Sequence, residues 1–218
     1  MKVVFNGDSI TDARWRDDVD MYLGIGFPFM LKAMLQEHYI DEEVEVYNRA
    51  FSGDIIEGLD SRFTKDIEDI GGPIPDVVSI LIGINDTGYN EKKDTFGTTR
   101  EFERFEKHYR SILDQAVALK IPNIVVAEPW VVSDADIDRY HWRKDLDPKI
   151  QIVRRLAREY QAIDISLDGI LNQVCQNYGW QKVMRDGVHP GPLGYKIFSD
   201  RWYEAVVPEL DKYVAEKR

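Results

Sequence analysis

The sequence predicts a three-layer α/β/α fold, a five-stranded parallel sheet covered by helices, on two observations. Short apolar runs rich in β-branched residues alternate with longer stretches of helical period, the pattern of strand, crossover helix and parallel strand. The residues best suited to chemistry, Ser9, Gly53 and Asn85, each fall three to five residues beyond the end of such a run, which puts all three on one edge of the sheet. In open α/β sheets the carboxyl edge is where ligands bind, at the point where strand order reverses.

Taken in order, the strands are predicted over Lys2–Asn6, Val44–Asn48, Val77–Ile82, Ile124–Glu128 and Ala162–Ile165. The helices follow from apolar residues three or four apart. Ile55, Ile56, Leu59, Phe63 and Ile67 make one such face. Phe102, Phe105, Tyr109, Ile112, Leu113, Ala116 and Leu119 make a second, and Ile150, Val153, Leu156 and Tyr160 a third. Gly191-Pro192 marks the start of a final helix, because proline is preorganised for a first helical turn. No repeat, low-complexity tract or linker divides the 218 residues, so one domain, 1–218, is expected.

Composition narrows the function. A net charge of −11 argues against a nucleic-acid backbone or an anionic membrane as partner, since both need a basic surface. Cys175 is the only cysteine, so no intramolecular disulfide can form. The N-terminal apolar stretch is too short for a signal-peptide core, and no run approaches the roughly 18 residues that cross a bilayer, so a cytoplasmic chain is expected. His38, His108 and His141 stand at no metal-ligand spacing from carboxylates or Cys175, and neither a metal nor a cofactor is expected. Gly24-Ile25-Gly26 opens like a dinucleotide loop, but Phe29 stands where the third glycine is needed.

Four short segments supply the parts of an acyl-transfer site: Gly7-Asp8-Ser9-Ile10, Ser52-Gly53-Asp54, Gly83-Ile84-Asn85-Asp86 and Asp186-Gly187-Val188-His189-Pro190. A serine becomes a useful nucleophile beside a base that takes its proton, and the base needs an acceptor that fixes its tautomer. Ser9, His189 and Asp186 can fill those roles; three residues apart, the carboxylate of Asp186 can reach one imidazole nitrogen and leave the other for Ser9. The oxyanion needs fixed donors, which the Ser9 and Gly53 N–H groups and the Asn85 carboxamide can provide. Each residue has a plainer reading in isolation: Ser9 a helix cap, Gly53 a turn, Asn85 an Asx turn, His189 a loop hydrogen bond. Asp8 and Asp86 are read as geometric supports without a catalytic role. The Gly-x-Ser-x-Gly elbow of α/β-hydrolases is absent.

On these residues the chain resembles the SGNH (GDSL) hydrolases, whose four letters match Ser9, Gly53, Asn85 and His189 in order, and within them the bacterial carbohydrate and xylan acetylesterases, through the strings GDSITD, SILIGIND and DGVHP. The resemblance runs from Val3 to about Tyr195; Ala50 stands where many relatives carry glycine. It implies a flavodoxin-like strand order, 2-1-3-4-5, a serine esterase acting on short acyl esters of carbohydrates such as xylo-oligosaccharides, and homo-oligomers among relatives.

The segment from Trp130 to Asp147 mixes Trp130, Tyr140 and Trp142 with charged residues, a composition that suits sugars, whose faces stack on rings. With Trp15 and Tyr22 it is the expected substrate wall; the plain alternative is a loop packed by its own rings. Two other functions stay open: a lipase, lysophospholipase or thioesterase, and a non-catalytic flavodoxin-like module that binds sugar or nucleotide.

Overall fold

Five strands, β1 (Lys2–Gly7), β2 (Glu45–Asn48), β3 (Val77–Leu81), β4 (Asn123–Ala127) and β5 (Ile163–Ile165), form one sheet in the order β2-β1-β3-β4-β5. Every pairing is parallel, and Phe5 stands opposite both Asn48 and Ser79. The computed structural model describes residues 1–13, 23–132 and 139–217. Trp15 and Tyr22, both expected in the substrate wall, lie outside the described residues.

The helices are α1 (Ser9–Asp12), α2 (Phe27–His38), α3 (Ile56–Glu68), α4 (Ile84–Asn90), α5 (Thr99–Ala118), α6 (Arg143–Glu159), α7 (Asp168–Tyr178), α8 (Trp180–Val183) and α9 (Pro192–Lys217). The alternation of side chains along each strand sorts them onto the two faces. Val3, Phe5, Val77, Leu81, Val125 and Ala127 face one way, into a core built with Phe27 and Leu31 of α2, Leu171 of α7 and Phe198 and Trp202 of α9. Val4, Val78, Ile80, Ile124 and Val126 face the other, against Leu59 and Phe63 of α3, Phe105, Tyr109 and Ile112 of α5, and Val153 and Leu156 of α6. Both faces are dry over the inner strands β1, β3 and β4, which is why those read as largely apolar runs. Ser79, one of the buried polar residues in them, is satisfied by accepting from Trp202 Nε1 at 3.1 Å.

The strand predictions hold to within a residue or so at each end. The α5 and α3 faces fall where the periodicity put them, whereas α6 begins seven residues earlier than Ile150, at Arg143, and carries Pro148 inside it. The proline forfeits one helical hydrogen bond, and burial of Leu146 and Ile150 on either side of it offsets that loss. α9 starts on Pro192 as expected. Among the described residues no helix is long and apolar enough to cross a membrane.

Candidate active site

The site grows out of the carboxyl ends of β1 and β3. Gly7 ends β1 opposite Leu81, and a Cβ on Gly7 would stand 2.2 Å from the Leu81 carbonyl oxygen, so only glycine lets the chain leave the sheet there. Asp8 then caps α1 by accepting from Ile10 N at 3.0 Å. Ser9 occupies the first position of α1, where the backbone N–H has no intrahelical acceptor. The candidate nucleophile and one candidate oxyanion donor thus come from a single residue.

Ser9 Oγ lies 3.0 Å from His189 Nε2, and His189 Nδ1 lies 2.8 Å from Asp186 Oδ2. Both separations are within proton-transfer reach. The other carboxylate oxygen, Asp186 Oδ1, accepts from the backbone N–H of Val188 at 3.0 Å and of His189 at 2.9 Å. Burial opposes ionisation of Asp186, but the His189 ring and these backbone donors outweigh it and hold the carboxyl well below the usual range. An ionised Asp186 keeps the proton on Nδ1 and leaves Nε2 as the acceptor for the Ser9 hydroxyl.

The loop that carries His189, the candidate base, is fixed from several sides. Val132 N donates to Gly187 O at 2.9 Å, Trp130 Nε1 to Val188 O at 3.1 Å, and Arg139 Nη1 to Asp186 O at 2.6 Å. Arg139 also stacks on Trp142, 5.1 Å from the ring centroid. Trp142 in turn packs on Gly88 of α4.

The other two segments are stapled to the Ser9 turn. Phe51 N donates to Gly7 O at 3.0 Å, and Ser52 Oγ to Asp12 Oδ2 at 2.5 Å. Gly53 has φ +83°, a left-handed conformation that glycine adopts without strain. Asn85 Nδ2 donates to Asp54 O at 2.9 Å, which ties α4 to the Gly53 loop and leaves the second amide N–H to point elsewhere. Arg62 clamps the same region, reaching Asp54 Oδ2, Asn6 Oδ1 and the carbonyls of Gly7 and Arg49.

Beneath α4 lies a buried ionic network. Asp86 accepts from Ile56 N at 3.0 Å and pairs with Arg104 at 2.7 Å. Lys149, fully buried, pairs with Asp145 at 2.5 Å and Glu101 at 3.1 Å, and Asp145 accepts from Thr87 Oγ1 at 2.8 Å. These contacts hold the helix that presents Asn85. Burial pushes the Asp86 carboxyl up to about 6 despite Arg104, and pushes Asp8 up to about 7, with Asp86 and Asp54 adding to it against Ile10 N and His189.

One expectation about the substrate wall needs correction. Trp130 is completely buried, edge-on to Phe198 and bonded to Val188, so it braces the His189 loop and presents no face to a ligand. Trp142 is half-buried under Arg139, and Tyr140 is exposed at 74%. Conversely, sequence reasoning passed over Tyr89, one helical turn beyond Asn85 and 57% exposed, whose hydroxyl stands 3.1 Å from where a Cβ on Gly53 would be. The i, i+4 spacing from Asn85 was the available signal. His38, His108 and His141 each meet a carboxylate remote in sequence, Asp211, Asp60 and Glu91 respectively. Among the described residues no group of three or more His, Cys, Asp or Glu is arranged to hold a metal ion.

Known proteins resemble this chain over most of its length. The model of the GDSL-like lipase/acylhydrolase family matches residues 5–197. The acetylxylan esterase of Geobacillus stearothermophilus is 26% identical over 91% of this chain and 90% of its own. A crystal structure from Parabacteroides merdae, provisionally named a GDSL-like lipase, superposes with TM-score 0.82 at 27% identity, covering 94% of each chain. A catalytic mutant of the Geobacillus esterase with a histidine replaced by alanine superposes with TM-score 0.79 at 25% identity, covering 94% of this chain and 93% of that one. The chain belongs to the GDSL-like lipase/acylhydrolase family, the SGNH hydrolases its motifs resemble, and is a carboxylic ester hydrolase.

Proposed function

We propose that this single-domain chain is a serine esterase that removes short acyl groups, acetyl above all, from carbohydrates such as xylo-oligosaccharides, through a Ser9-His189-Asp186 triad. The observation that carries this reading is the hydrogen-bonded line Ser9 Oγ, His189 Nε2, His189 Nδ1, Asp186 Oδ2, at 3.0 and 2.8 Å. His189 takes the Ser9 proton as Oγ attacks the ester carbonyl. The Ser9 and Gly53 N–H groups and the free Asn85 amide N–H receive the oxyanion, and the imidazolium, steadied by Asp186, gives its proton to the departing sugar oxygen. Water activated by the same imidazole then releases the acyl group from Ser9 as the acid.

The acetylated carbohydrate is supported by the acetylxylan esterase relative. The test is the initial rate on p-nitrophenyl acetate, butyrate and octanoate and on fully acetylated xylose, for wild type and Ser9→Ala. Ser9-dependent turnover of the acetates with a steep fall toward octanoate is expected; a preference for octanoate would replace this reading with a lipid or thioester enzyme.

A further inference from the structure

A cleft of about 430 Å³ is lined by Ile55, Asp86, Tyr89, Lys93, Arg100 and Arg104 among others, within the roughly 300–1,000 Å³ of pockets that take small ligands. Tyr89 belongs to both places: it lines the cleft, and its hydroxyl reaches over Gly53. Tyr89 therefore links the cleft to the Gly53 loop.

The lining says what that occupant is. Asp86 and Glu101 are nearly sealed and already paired with Arg104 at 2.7 Å each; Glu57 takes the other arm of the guanidinium at 2.8 Å, and Lys149 meets Glu101 at 3.1 Å. A hydrocarbon chain over such groups would strip them of water without replacing its hydrogen bonds, which excludes an acyl tail. Lys93 and Arg100, also in the lining, make no ion pair with any described residue. Three cations (Lys93, Arg100, Arg104) face three acids (Glu57, Asp86, Glu101), so the cleft selects for hydrogen-bonding capacity more than for charge. Free donors, one exposed aromatic face and no net charge match a neutral polyhydroxyl ring.

We infer that this cleft is a subsite for the sugar ring adjoining the acylated one, with Tyr89 as the shared wall and Lys93 and Arg100 as donors to its hydroxyls. The inference rests on the carbohydrate reading above and adds which residues hold the second ring.

The test compares kcat/KM on acetylated xylotriose and acetylated xylose for wild type and the double variant Lys93→Ala/Arg100→Ala. Wild type should prefer the trisaccharide by on the order of tenfold, carried by KM, and the double variant should lose most of that ratio, consistent with about 1.4 kcal/mol of lost contacts per tenfold. Measuring both substrates on one preparation cancels any loss of folded enzyme. Equal wild-type values on the two substrates, or a ratio unchanged in the double variant, would overturn the subsite. Ser9-dependent deacetylation of xylose would in either case leave the esterase reading standing.

Discussion

Replacing Asp8 by asparagine should change how the stability of this protein depends on pH. The Asp8 side chain is fully buried, with Oδ1 accepting from Ile10 N and Oδ2 sealed without a hydrogen-bond partner among the described residues. Burial raises its pKa from 3.8 to about 7. Between those values the folded protein keeps a proton that the unfolded chain has released. Stability therefore falls as pH rises through this window and levels off above it. Three pH units at 1.36 kcal/mol each set the total at up to about 4 kcal/mol. Asparagine retains an acceptor oxygen for Ile10 N and cannot ionise, so Asp8→Asn escapes that fall whatever fixed offset the amide brings. Urea unfolding of both proteins from about pH 4.5 to 8 should show the variant gaining on wild type by a few kcal/mol, most of it below about pH 7. A difference independent of pH, or one that shrinks with rising pH, would refute the burial argument.

Asn85→Ala should cut kcat by about 10²–10³ on p-nitrophenyl acetate with KM little changed, if the amide serves the oxyanion; steady-state kinetics decide it, and a loss confined to KM would count against the role. Trp130→Ala should cost about 3–5 kcal/mol in denaturant unfolding, because the indole fills the core and holds Val188. It should lower turnover of acetylated xylose and of p-nitrophenyl acetate in equal proportion, and a selective loss on the sugar would restore Trp130 to the substrate wall.

The architecture was legible because each buried strand had to be apolar on both faces and each covering helix on one, so period alone separated them. α2, α7 and the short α4 and α8 were not assigned, since short or weakly patterned helices are decided by tertiary packing. The segments that carry Ser9, His189 and Asp186 stand out in the sequence as parts of a candidate site, but their supports do not. Arg62, Arg139 and the Asp145-Lys149 pair act through contacts between residues far apart or buried, which spacing does not encode. Trp130 shows the same limit from the other side. An aromatic just past β4 reads equally as a ligand platform or as packing, and only its burial against Phe198 tells which.

The central claim is that Ser9 is a nucleophile activated by His189. Treating the protein with a fluorophosphonate and locating the adduct by intact mass and peptide mapping tests it most directly. The account predicts one adduct per chain on Ser9, absent in Ser9→Ala and formed far more slowly in His189→Ala. Labelling elsewhere, or undiminished labelling of Ser9→Ala, would contradict it.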